Sequence, residues 1–431
     1  MIAADQPGQG NRRVLRIEAG GAVSHLALTD IATLFEPGDL VVANDAATLP
    51  ASLIGVYVPI GAAIEVRLAG WGSSPAWRGR GTMRSMMEGA SSNAAALSAP
   101  SPAFGGSPPP SQATWEEPIS SGAPPPFDPT RFIAVVFGAG DYRTRTEDRS
   151  APPTLSPGDR LALGPLVGTI DRLLGHPRLV ELSFKGDAGA IWAGLADHGR
   201  PIQYAHVSAP LALPDVWTRV ASVPVAFEPP SAGFALDWRT LAAWRKRGVG
   251  FATLTHAAGI SSTGDPTLDA RLPCDEPYRI PERTAAAIAR TRSRSGRVIA
   301  IGTSVVRALE AAYEVNEKVD AGEGIATGRI GEDTELNVVD AILSGVHELG
   351  ESHFELLRAF VDDATLDRMS EATAAENYRS HEFGDFVLIE RQPRLKLFDN
   401  RDDRAVPAMS RRVLAAKLRS IDAGRAATVQ K

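Results

Sequence analysis

The chain has 431 residues, 44% of them hydrophobic and 22% charged, with 51 acidic against 45 basic side chains and a formal net charge of −6. This mildly acidic balance excludes a nucleic-acid binder that works by bulk charge, while leaving room for a local basic patch. Cys274 is the only cysteine, so no internal disulfide can form, and residues 1–13 lack an apolar signal core. No apolar run approaches membrane-spanning length, so the expectation is a cytoplasmic monomer of two or three domains with no membrane partner.

In chain order, Leu34-Phe-Glu-Pro-Gly-Asp39 predicts a turn and Leu40-Val-Val-Ala43 a buried strand stopped by the turn formers Asn44-Asp45. Ala63 to Leu68 alternates like a half-exposed strand. From about residue 70 to 130 Ser, Pro, Gly and Ala dominate, a composition that cannot bury enough apolar surface to offset its ordering entropy. A disordered, passive insertion is expected there; Trp71, Trp77 and Trp115 with Arg78, Arg80 and Arg84 offer the alternative of a nucleic-acid tether. Short runs at Phe132–Phe137, Arg160–Leu163, Val167–Leu173 and Leu179–Phe184, separated by Gly/Pro turns, predict a small antiparallel barrel.

The second half alternates differently. Asp237 is placed to cap a helix ending at Gly248, followed by a strand running into Thr255-His256. A helix over Pro281–Arg292 then leads to a buried strand, Arg297–Ile301, Gly302, and a helix carrying Val305, Leu309 and Ala312 on one face. This repetition predicts an α/β fold: a larger α/β domain with parallel strands (14–60 and 209–395) plus an inserted antiparallel β-barrel domain (61–208), then a polar tail over 396–431.

Ligands of open α/β sheets collect at the carboxyl ends of strands. Three such ends carry polar groups: Asn44-Asp45, Thr255-His256, and Thr303-Ser304 followed by Arg307. Thr303 or Ser304 is expected to cap the last helix, with Arg307 reaching an anion at its N-terminus and Glu310 orienting Arg307. Without that context the same residues read as a cap and a surface ion pair. The loop Glu228-Pro-Pro-Ser-Ala-Gly-Phe234 is a fourth candidate for the pocket.

Gly38-Asp-Leu-Val-Val-Ala-Asn-Asp45, Leu49-Pro-Ala51, Pro230-Ser-Ala-Gly233, Ile299-Ala-Ile-Gly-Thr303, Arg307-Ala-Leu-Glu310, Val338-Val-Asp-Ala341 and Phe383-Gly-Asp385 arrive in one order. In that order the chain resembles the S-adenosylmethionine:tRNA ribosyltransferase-isomerase family of queuosine biosynthesis, from about Leu34 to Ile389. The resemblance implies a ribosyl transfer from S-adenosylmethionine, as co-substrate and without a metal, onto 7-aminomethyl-7-deazaguanine in tRNA, giving epoxyqueuosine. It implies catalytic roles for Asp45, His256 and Glu276, and substrate contacts from Asn44, Ser231, Gly233, Thr303, Ser304, Arg307 and His347. The chain departs from the family where Asn-Asp-Thr-Arg-Val becomes Asn44-Asp-Ala-Ala-Thr48, and where Arg271 and Cys274 stand in place of histidines. Those losses leave two alternatives: a paralogue using S-adenosylmethionine on another acceptor, or a non-catalytic nucleoside- or partner-binding protein.

Overall fold

Leu40–Asn44 is buried along its whole length, as a strand must be when helices cover both faces of its sheet. The computed structural model describes residues 2–4, 11–72 and 127–392. In it Leu40–Asn44 lies fourth in a nine-stranded sheet ordered Gly322–Ala326, Glu276–Ile280, Gly250–His256, Leu40–Asn44, Val298–Ile301, Ala341–Gly345, Phe386–Glu390, Arg13–Ile17, Val23–Ala27. The four consecutive strands from Gly250–His256 to Ala341–Gly345 run parallel. Glu276–Ile280 and Phe386–Glu390 flank them antiparallel.

Helix chemistry sets the two covering layers. Trp238–Arg247 begins where Asp237 accepts a hydrogen bond from Thr240 N at 2.6 Å and ends at Gly248, whose φ is 81°. Its Trp244 is buried with Val41, Ala43, Ile299 and Ile301 on one face of the sheet. Thr303–Asn316 and Glu282–Ser293 set Val305, Leu309 and Ile288 against Val42, Leu254 and Ala300 on the other.

Between Leu40–Asn44 and Gly250–His256, adjacent in the sheet, the chain makes a closed six-stranded antiparallel barrel. It leaves through Ala46–Thr48 and returns through Val223–Ala226, and these two crossings pair in parallel. The barrel order is Leu166–His176, Leu179–Phe184, Arg131–Phe137, Ala62–Trp71, Ser52–Tyr57, Arg160–Leu163, around a core that includes Leu53, Val66, Phe132, Val135 and Leu182. Residues up to Gln392 fall in one compact unit.

Four expectations change. The barrel begins at Ser52, before the boundary expected at residue 61; Ser52–Tyr57 sends Ile54 and Val56 outward, exposed, so its alternation carried no polar face to recognise. Ala62–Trp71 is buried on both faces, because Glu65 and Arg67 on its polar face are covered and paired, Arg67 Nε to Glu65 Oε1 at 2.8 Å and Arg149 to the other oxygen. Trp71 is a core residue whose Nε1 donates to Val225 O at 3.0 Å, which removes it from any tether. The helix after Val298–Ile301 starts at Gly302 with no side-chain cap from Thr303 or Ser304. Most of the expected insertion (73–126) and the tail (393–431) lie outside the described residues.

Candidate active site

Because the four central strands are parallel, their carboxyl ends meet at one edge, with Asn44, His256, Gly302 and Gly345 side by side. Gly302 turns the chain there with φ 91° and ψ 158°, and a Cβ on it would stand 3.2 Å from Ala232 Cβ, so this turn requires glycine. Asn44 spends its amide on fastening the edge: Nδ2 donates to His256 O (2.9 Å) and Ser304 Oγ (3.2 Å), while Oδ1 accepts from Ala46 N (3.0 Å) and His256 N (2.9 Å). Asp45 Oδ1 accepts from Thr255 Oγ1 at 2.7 Å. His256 is fully buried, and that burial, with Arg307 nearby, drives its imidazole well below its ordinary pKa, so the ring is neutral. Neither ring nitrogen has a hydrogen-bond partner among the described residues; Nε2 stands 3.5 Å from Glu276 Oε2.

Arg307 is ion-paired to Glu276, and its Nη2 donates to Cys274 O (2.9 Å), Ala326 O (3.2 Å) and Gly328 O (3.3 Å). Burial pulls the guanidinium down to about 10. Glu276 Oε1 also accepts from Gly259 N at 2.6 Å, tying the strand that carries it to the loop after His256. Glu310, expected to orient Arg307, instead accepts the backbone N–H groups of Asn337, Val338 and Val339 at 2.8, 3.0 and 2.9 Å. These three adjacent donors would otherwise be unsatisfied, which decides the competition for its carboxylate.

Above this edge opens a cleft of about 1120 Å³. Ser231, Glu276, Thr303, Ser304 and Arg307 line it, as do Tyr204, His206, Glu228, His347, His353 and Glu382. Tyr204 donates its hydroxyl to Glu228 and lies 3.3 Å from Ser261 Oγ. Its ring stacks on His206, which stacks on His381 at 4.4 Å and pairs with Glu382 at 3.0 Å. His347 stacks on His353 at 4.6 Å and meets Glu351 at 3.3 Å. Burial lifts Glu228 to about 7 and drives His353 down to about 3. Burial also raises Glu382, but the hydrogen bond and charge of His206 outweigh it and hold the carboxyl below its usual range.

The queuosine biosynthesis protein family model matches residues 149–389. A Thermus thermophilus protein named S-adenosylmethionine:tRNA ribosyltransferase-isomerase is 31% identical over 252 residues, which are 56% of this chain and 71% of that protein. One of the same name from Sorangium cellulosum is 29% identical over 415 residues, 90% of this chain and 95% of that one. The chain belongs to the queuosine biosynthesis protein family. Among solved structures, S-adenosylmethionine tRNA ribosyltransferase from Thermotoga maritima aligns over 90% of this chain and 96% of its own at 18% identity, with a TM-score of 0.42.

In this family member Ser231, Thr303, Ser304, Arg307, Glu276 and His347 come together on the cleft. Asn44, Asp45, His256 and Gly233 lie behind that lining. A Cβ on Gly233 would meet Thr218 Cγ2 at 2.8 Å, so Gly233 admits close packing of the Ser231–Ala235 turn. Arg307 is not the cleft's only fixed cation, since Arg145 and Arg329 line it too. Sequence reasoning missed Tyr204, His206, His353, His381 and Glu382. One signal was available: four of the chain's eight histidines line this cleft. Among the described residues no cluster of three or more His, Cys, Asp or Glu could hold a metal, and no helix is long and apolar enough to cross a membrane.

Proposed function

We propose that this family member transfers and isomerises the ribosyl group of S-adenosylmethionine onto 7-aminomethyl-7-deazaguanine in tRNA, giving epoxyqueuosine and releasing adenine and methionine. The observation that carries the reading is the cleft at the sheet's carboxyl edge. It exceeds the roughly 300–1,000 Å³ of an ordinary small-ligand site, so a nucleoside-sized co-substrate and one extruded base fit together. Eight carboxylates and three arginines line it, a balance suited to a sulfonium and an aminomethyl cation. The sulfonium acidifies the adjacent ribose C5′ protons, so a base positioned beside it starts the reaction, and the reading assigns no metal to that step.

In this reading Ser231, Thr303, Ser304 and His347 contact substrate from the cleft wall, where the helix beginning at Thr303 directs free N–H groups inward. Glu276 and Arg307 act as a pair, and Asn44, Asp45, His256 and Gly233 hold the edge from behind. The working unit is the monomer, acting in the cytoplasm where tRNA is.

The same acidic lining favours a second reading, S-adenosylmethionine used on an acceptor with fewer phosphates than tRNA. Mass spectrometry of reactions with S-adenosylmethionine separates the two. Adenine released only when tRNA carrying 7-aminomethyl-7-deazaguanine is present supports the first, and adenine released only with a free nucleobase supports the second. Calorimetric titration checks the shared premise: no heat and no thermal shift at millimolar S-adenosylmethionine leaves a binding role for some other molecule.

A further inference from the structure

We infer that Glu228, held by Tyr204, is the residue that takes the proton from the substrate in this cleft. The inference rests on the proposed reaction and names the group that begins it.

Other carboxylates on the cleft are occupied. Glu276 is paired with Arg307, Glu382 with His206 and Glu351 with His347. Toward the rim Glu147 is paired with Arg145 and Glu355 with Arg358. Asp269 fastens its own loop, accepting from Thr263 N at 2.7 Å and Thr263 Oγ1 at 2.6 Å, and Glu348 is exposed to solvent. A carboxylate tied to a cation is a weak base, and an exposed one is surrounded by water. Glu228 is half-buried on the cleft, and its partners are neutral: the Tyr204 hydroxyl donates to it, and Ser261 meets it with its hydroxyl and its backbone N–H.

Burial is the largest influence on its charge and raises the carboxyl, the hydrogen bonds from Tyr204 and Ser261 oppose that rise, and Glu382 adds to it. Glu382 lies near enough to disfavour a second negative charge, with His206 beyond it as Glu382's own partner. Arg67, on the barrel, lies over the Tyr204 ring at 5.6 Å with its charge turned to Glu65. The outcome is a carboxyl lifted to about 7, close to the value that favours proton transfer at neutral pH. In the step, the C5′–H bond breaks and its electron pair stays on the carbon beside the sulfonium sulfur. The proton forms an O–H bond with the Glu228 carboxylate, while the Tyr204 hydroxyl keeps the side chain aimed. Tyr204 is a positioning residue. Neither residue belongs to the motifs that carry the family resemblance.

The full-length chain with S-adenosylmethionine and tRNA carrying 7-aminomethyl-7-deazaguanine is the test, read by adenine release. Glu228→Gln is expected to lower kcat by about 100-fold or more, within the range for a lost general base, with the S-adenosylmethionine dissociation constant unchanged within about threefold. Wild-type kcat/KM should rise with pH through about 7, and Tyr204→Phe should move that limb while keeping part of the rate. A Glu228→Gln enzyme with more than a tenth of wild-type kcat, or one with weakened binding and normal kcat, overturns the assignment. If Glu228→Gln fails to fold, a wild-type profile flat between about pH 5.5 and 8.5 overturns it instead. A wild-type enzyme releasing no adenine overturns the proposed reaction, and this step with it.

Discussion

At the sheet edge, Arg307 donates to Glu276 and to three backbone carbonyls, and Asn44, behind the cleft lining, makes four hydrogen bonds. Elsewhere on the cleft lining, Tyr204, His206, His347 and Glu228 hold few partners, most of them side chains, and are half-buried. The first set is saturated, so a change there exposes uncompensated charge or unpaired amide to a dry interior. The second makes fewer hydrogen bonds to backbone, so a change there leaves fewer groups unpaired. Polar residues that a motif reveals can therefore serve as the frame of a site.

The sharpest way to break this contrast is Arg307→Ala. Removing one member of a buried pair leaves Glu276 uncompensated, at a cost of about 3–5 kcal/mol, and the double variant Arg307→Met with Glu276→Leu should recover most of it. His206→Gln, away from the sheet edge, should cost under about 1 kcal/mol. Urea denaturation reads both, and equal losses at the two positions would erase the distinction between the saturated edge and the sparsely bonded lining.

Next in size is Asn44→Ala, which leaves the His256 and Ala46 N–H groups without their acceptor. At about 1–3 kcal/mol for each unsatisfied buried group, the midpoint of denaturation should fall clearly while the fold remains. A midpoint unchanged within error would mean that water replaces the amide and that this edge is wetter than its burial implies.

Protonation sharpens the comparison further. The folded pKa of His256 is driven below its unfolded value of about 6.5, so its contribution to stability is present above that pH. As pH falls below it, the unfolded chain takes up the proton first and stability declines, by at most about 1.4 kcal/mol per pH unit for one group. The same sign holds for His353, from about 6.5 down toward its folded value of about 3. His256→Leu should flatten the decline between about pH 6.5 and 5. An unaltered slope in that variant would put the acid sensitivity elsewhere.

The smallest effect is expected from residues 73–126. Gly72 N donates to Arg131 O at 3.0 Å, so the two strand ends they join are already neighbours. Replacing them with a short Gly/Ser bridge changes mainly a loop-closure entropy that grows slowly with length. Phe127 must be kept, because its ring packs on Trp71 with centroids 5.3 Å apart. A melting temperature lower by several degrees would give this segment a packing role that its composition does not suggest.

Local pattern decided much of the architecture. The β-branched runs at Leu40–Asn44 and Val298–Ile301, the Asp237 cap with Gly248, and the Gly/Pro turns between the Arg160–Leu163, Leu166–His176 and Leu179–Phe184 strands follow from backbone preference and burial over a few residues. Parallel strands then oblige their carboxyl ends to share an edge, which is why Thr303, Ser304 and Arg307 could be expected at one pocket in advance. Which partner Arg307 takes was decided by tertiary structure. Arg307 has Glu310 three residues away yet pairs with Glu276, because the strand carrying Glu276 lies beside its helix and three N–H groups claim Glu310. Tyr204 and Glu228 are 24 residues apart, and His206 and Glu382 are 176 apart. No periodicity links such positions; closure of the barrel and return of the chain to the sheet bring them together, and the burial created there sets their charge.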